Sequence, residues 1–125
     1  MPQNLSPRPR SNQRLWLWLG SWVGLFIITH VPVVGIRPLS VDHADKFFHF
    51  VLYSLLVCLG GRYLFSTRRA VARSTLWGYA GLYGVYAAFD EWLQQFVGRS
   101  MSLGDWLADV AGIVLATLWL TLRRR

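Results

Sequence analysis

Cysteine is almost missing from this 125-residue chain: Cys58 stands alone, midway along an apolar run. No internal disulfide and no CxxC metal site can form. Acidic residues are also scarce, six against thirteen Lys and Arg, for a net charge of +7. That balance would suit nucleic acid if the basic residues formed a stripe on one surface. Instead they flank apolar runs: Arg8, Arg10 and Arg14 before the first, Arg68, Arg69 and Arg73 between two others, and Arg123, Arg124 and Arg125 at the end. Flanking charge sets membrane orientation, so no nucleic-acid partner is expected. The apolar run that follows the basic N-terminal stretch is too long for a secretory h-region and no A-x-A-like site follows it, so an uncleaved first span is expected.

What the chain has in quantity is clustered apolar residue, 54% hydrophobic against 15% charged. The runs cover residues 15–36, 47–65, 75–97 and 103–122. At ~1.5 Å per residue, about 20 residues cross a hydrocarbon core of ~30 Å. The expected fold is therefore an all-α membrane protein, a compact bundle of four transmembrane helices whose short connections make consecutive helices antiparallel neighbours. Residues 1–14, with Pro2, Pro7 and Pro9 and no apolar period, read as a disordered cytoplasmic tail; residues 15–122 form the membrane domain and 123–125 a basic cytoplasmic end. His30 and Pro32 predict an early end or kink in the first helix. Gly78, Gly81, Gly84 and Ala88 give the third helix a small-residue face of the kind that lets membrane helices associate, and most of the seven tryptophans lie near run ends as interface anchors.

Ten of the thirteen basic residues fall on one side of this arrangement, leaving Arg37, Lys46 and Arg99 on the other. The positive-inside rule makes both termini cytoplasmic. All six acids, Asp42, Asp45, Asp90, Glu91, Asp105 and Asp109, then lie toward the opposite side. Asp45 and His49, Asp90 and Gln94, and Asp105 and Asp109 are each four residues apart, so each pair shares a helix face. Lipid cannot solvate such faces, and they should converge on a polar pocket open to the extracytoplasmic leaflet.

Some of these acids have simpler explanations. Ser102 to Asp105 fits a capping box, and Asp42 and Asp45 sit near the start of the second helix, where the dipole favours anions. Asp109 lies too deep for a cap. Asp90 and Glu91 lie toward a helix C-terminus, where the dipole opposes them, so they call for cations: Arg99, Lys46 or a metal. A purely structural ion-pair lock would use the same residues.

The run DKFFHFVLYSLL (Asp45, Lys46, His49, Tyr53) followed by DEWLQQFVGRSMSLGDWLADVAG (Asp90, Glu91, Gln94, Gly98, Arg99, Asp105, Asp109, Gly112) resembles the VanZ-like family of small bacterial membrane proteins. The likeness covers residues 45–112. Val97 stands where a proline commonly precedes the Gly-Arg pair, and Asp109 where asparagine is frequent. The resemblance implies a multi-pass protein of the bacterial cytoplasmic (inner) membrane, acting on lipid head groups or lipid-linked phosphates in envelope metabolism or in teicoplanin-type glycopeptide resistance.

In an enzyme of this kind, a lipid head-group phosphotransferase or phosphoesterase, His49 would be nucleophile or general base with Asp45 or Glu91 orienting its ring, and Asp90 beside them. Lys46 and Arg99 would bind phosphate, Arg99 through paired hydrogen bonds, with Gln94 and Tyr53 completing the substrate-binding set. Asp105 and Asp109 would bring a divalent cation such as Mg²⁺. The D-G-x-x-A-R pattern of CDP-alcohol phosphotransferases is absent. A noncatalytic binder of lipid, glycopeptide or protein would need the same pocket without proton transfer. A proton-coupled transporter would need an inverted repeat that only a homo-oligomer could supply.

Overall fold

A computed structural model describes residues 9–31 and 41–123. Four helices account for most of them: α1 (Pro9–His30), α2 (Val41–Thr67), α3 (Arg73–Gln94) and α4 (Leu103–Leu122), with a 3-10 turn at Gln95–Val97 closing α3. No strand occurs among the described residues. Two helices, α2 and α4, are long and apolar enough to cross a membrane. α1 and α3 are also long, 22 residues each, but α1 opens with Arg10 and Arg14 and α3 carries glycines, tyrosines, Asp90 and Glu91.

The boundaries differ from expectation in ways with physical causes. Helix α1 starts at Pro9, so residues 9–14 are helical and not a disordered tail; proline, lacking an N–H, is tolerated in a first turn. It ends at His30, the early stop that His30 and Pro32 suggest. Residues 1–8, 32–40 (with Arg37) and 124–125 lie outside the described residues. Helix α2 runs through Gly60, Gly61 and Arg62 without a break. Those glycines are contact points: a Cβ on Gly60 would lie 2.5 Å from the Tyr83 hydroxyl and 2.8 Å from Trp18 Nε1, and one on Gly61 would strike Leu120.

The helices run up and down, and the order around the bundle is α1, α2, α4, α3. The closest pair is α2 with α4, which are parallel, while α2 and α3 scarcely touch although they are consecutive. This corrects the expectation that every consecutive pair packs together. Glycines explain it: a Cβ on Gly112 would come within 2.5 Å of the Phe50 carbonyl oxygen and 2.8 Å of Ser54 Oγ, and one on Gly104 within 2.7 Å of Lys46 Cε. Backbone-to-backbone approach at this seam leaves α3 on the far side of α4. Gly112→Val is expected to cost about 1–3 kcal/mol through overpacking, read as a lower midpoint of unfolding in detergent.

The small-residue face of α3 has no such role inside the bundle. Added Cβ atoms on Gly78, Gly81 and Gly84 would meet nothing within 4 Å. Of the tryptophans, Trp16, Trp77, Trp92 and Trp119 are exposed. Trp18 stacks on Tyr63, Trp22 packs on Tyr83 and Tyr86, and Trp106 donates to the Gly84 carbonyl, so these three pack within the bundle.

Polarity is turned inside out over much of the surface. Val85 and Leu103 are each 71% exposed and Trp16 70%, whereas Asp90 and Asp109 are 0% exposed. The up-and-down course gathers Arg10, Arg14, Arg62, Arg68, Arg69, Arg73 and Arg123 toward one end of the bundle. The acids gather at the other.

Candidate functional site

At the acidic end all four helices contribute one polar side chain or more to a connected network. His49, one turn into α2 from Asp45, sits at its centre, 2% exposed. Its Nδ1 lies within hydrogen-bond distance of Asp109 Oδ1, at 2.9 Å, and 3.6 Å from Glu91 Oε1. Gln94 Nε2 spans the two acids of its own helix, donating to Glu91 Oε1 at 3.3 Å and Asp90 Oδ2 at 3.4 Å, as the shared face of α3 requires. Glu91 Oε2 accepts from the Ser102 backbone N–H at 3.1 Å.

Asp90 faces α1. Its Oδ1 is 3.2 Å from the Thr29 hydroxyl and 3.6 Å from His30 Nδ1. Neither residue stands out as a site residue in the sequence, because a threonine in an apolar helix can satisfy itself on its own backbone, and Thr29 Oγ1 is also 3.0 Å from the Leu25 carbonyl. Only the meeting of the ends of α1 and α3 gives Thr29 a partner on another helix through its hydroxyl.

The permanent cations go elsewhere. Arg99 Nη2 donates to both oxygens of Asp45, at 3.1 and 3.3 Å, while Nη1 donates to the Thr29 carbonyl at 3.4 Å. Lys46 Nζ lies 3.6 Å from Asp105 Oδ1. Of the cations expected to meet Asp90 and Glu91, namely Arg99, Lys46 or a metal, Arg99 is thus paired with Asp45 instead. The turn after α3 is the reason: Gly98 adopts φ 79, the left-handed conformation that glycine enters without penalty, and the Arg99 N–H closes back onto the Gln94 carbonyl at 3.1 Å. This reversal carries the guanidinium across to the start of α2.

The contacts of the His49 ring also differ from the pairing with Asp45 that the spacing suggests. Asp45 is engaged by Arg99, and the carboxylate bonded to the His49 ring is Asp109, with Glu91 second. Asp105 and Asp109, one turn apart on α4, serve different partners: Asp105 groups with Asp45 and His49, and Asp109 with His49 and Glu91, the ligand atoms of each set lying within 4.8 Å of one another. Ser102 does cap α4, its Oγ accepting from the Asp105 N–H at 3.3 Å. The other half of the expected capping box, a side chain returning to the Ser102 N–H, comes from Glu91 of α3. Tyr53, one turn beyond His49, is fully buried, and its hydroxyl has no hydrogen-bond partner among the described residues.

Two recesses meet beside this network. An apolar groove of about 550 Å³ runs between α3 and α4, floored by Gly81, Gly84 and Ala88 and walled by Trp77, Trp106 and Val110. A smaller recess of about 170 Å³ shares Ala88 and Trp106 with it and reaches Glu91 and Ser102. The small residues of α3 thus line the lateral groove, and the recess beside it is lined in part by a site carboxylate. No protein-family model, curated protein or solved structure matches the chain, so its chemistry is argued from this geometry.

Proposed function

We propose that this chain is an integral membrane protein of the VanZ-like type, crossing the bacterial cytoplasmic membrane four times with both termini cytoplasmic, and that its acidic end works on a lipid head group or lipid-linked phosphate at the extracytoplasmic leaflet. The reading rests first on the inverted surface, apolar outside and carboxylates within, which suits a hydrocarbon solvent. Clustering of arginine at the opposite end supports the orientation. One observation carries the functional part: an apolar groove open on the side of the bundle adjoins a recess lined by the Glu91 carboxylate, which lies 3.6 Å from the ring of the buried His49–Asp109 pair. An acyl chain fits the groove and its head group would then lie at Glu91 and Ser102.

In the enzymatic form of this reading, His49 takes or gives a proton, Asp109 fixes the ring, and Lys46 and Arg99 hold phosphate at the rim, where their side chains remain 32% and 18% exposed. Envelope metabolism or teicoplanin-type resistance would be the setting. A second reading, noncatalytic capture of a lipid or glycopeptide, draws on the Arg99–Asp45 pairing, which already occupies part of the guanidinium fork.

The test is a lipidomic comparison of cells carrying the parent chain, His49→Ala, or no copy, with expression matched. A head-group class that shifts with the parent alone supports the enzyme; identical lipid profiles in all three would sink it. The groove has its own check. Gly84→Leu projects into open space, so stability is expected to stay within about 0.5 kcal/mol of the parent or better while the lipid shift shrinks. An unchanged lipid shift would remove the groove from the proposal.

A further inference from the structure

We infer that His49, Glu91 and Asp109 form a buried site for one first-row divalent metal ion, Zn²⁺ or Mn²⁺, independent of whether the pocket transforms a lipid. The three residues come from α2, α3 and α4, are 2%, 2% and 0% exposed, and bring their ligand atoms within 4.8 Å of one another. The spacing is that of ligands around a small ion. For metal–ligand bonds of ~2.0–2.2 Å, neighbouring donor atoms lie about 2.9 Å apart at right angles and about 3.4 Å apart in a tetrahedron. The His49 Nδ1 contacts are 2.9 Å to Asp109 and 3.6 Å to Glu91.

A second observation concerns the same carboxylate: Asp109 Oδ2 is buried with no hydrogen-bond partner among the described residues. An unpaired buried carboxylate oxygen costs free energy unless a cation or donor meets it. Charge adds to the case. Arg99 grips Asp45 and Lys46 approaches Asp105, whereas Asp90, Glu91 and Asp109 are met by imidazole, amide, hydroxyl and backbone donors.

Ligand chemistry selects the ion. An imidazole with two carboxylates suits zinc, manganese or iron, while Mg²⁺ keeps several waters and sheds them reluctantly, which a site this enclosed opposes. The alternative triad of Asp45, His49 and Asp105 shares the imidazole, but there Arg99 and Lys46 already supply positive charge. The pair Asp105 and Asp109 that the sequence suggests for Mg²⁺ is thereby divided, and only Asp109 is retained as a ligand.

Full-length protein in detergent, stripped with chelator, is titrated with Zn²⁺, Mn²⁺, Mg²⁺ and Co²⁺. Bound metal is counted by elemental analysis, thermal unfolding is followed, and the visible spectrum of the Co²⁺ form is recorded. The expected result is one Zn²⁺ or Mn²⁺ per chain, a rise in Tm that Mg²⁺ does not reproduce, and Co²⁺ bands of nitrogen–oxygen coordination. Glu91→Gln and Asp109→Asn, near-isosteric and checked for helical content in the metal-free state, are expected to weaken binding by at least about tenfold, and Asp105→Asn to leave it intact. Loss in Asp105→Asn with retention in Glu91→Gln would overturn the assignment, as would metal binding that survives all three variants or no binding at all. Lipid turnover unaffected by chelation would remove any metal role in turnover while leaving the lipid reading in place.

Discussion

Replacing His49 with leucine is expected to lower the unfolding free energy by about 3–5 kcal/mol in metal-free detergent solution, the cost of removing one partner from a buried polar pair. His49 is the only side chain bonded to Asp109 Oδ1 among the described residues, and Asp109 Oδ2 already lacks a partner. The variant therefore leaves a wholly buried carboxylate with nothing to meet it. Asp109→Leu alone removes that carboxylate but deprives the buried His49 ring of its hydrogen-bond partner. In the double variant neither group remains, and its loss of stability should be smaller than the sum of the two single losses by at least about 1 kcal/mol. Chemical denaturation of the four proteins measures the coupling. Additive losses would mean that the 2.9 Å contact carries no energy of its own.

Conservative changes should separate chemistry from capture. His49→Gln keeps a polar side chain of similar reach but cannot shuttle a proton at neutral pH, and Glu91→Gln keeps an oxygen to accept the Ser102 N–H. If the pocket is an enzyme, both variants should lower head-group turnover by about 10²–10⁴, the usual contribution of a positioned acid or base, with lipid binding largely kept. The assay uses proteoliposomes made from the host's own extracted lipid, with release or transfer of labelled phosphate as the readout. Turnover at parent rates in both variants would leave the noncatalytic binder as the reading to pursue.

Much of the helical frame was legible because long apolar runs admit few alternatives. The fourth run matches α4 at both ends, where Ser102 supplies a cap that can be read locally. Helix α2 is longer than its run, since Gly60 and Gly61 look like breakers in one dimension and are close-packing points in three. The same residue type misled in the other direction on α3, whose glycines line an open groove. Within the site, pairs on one helix were legible from spacing, as Gln94 and Asp90 illustrate. Partners across helices were not. Which acid meets His49 depends on how α4 is rotated against α2, and that is set by the close approach of Gly112, one turn beyond Asp109, to the Phe50 carbonyl, an uncharged contact between two helices that spacing along one helix does not reveal.

The Ser102 amide ties one of the site's acids to the first turn of a neighbouring helix. Glu91 consequently has two duties that compete for the same carboxylate. Any ligand that draws Oε2 away releases the lead amide of α4, so occupancy would be felt as fraying of that helix start, and a tighter grip on the ligand would come at the expense of the bundle's own cohesion. Selection at this position cannot tune recognition and stability separately.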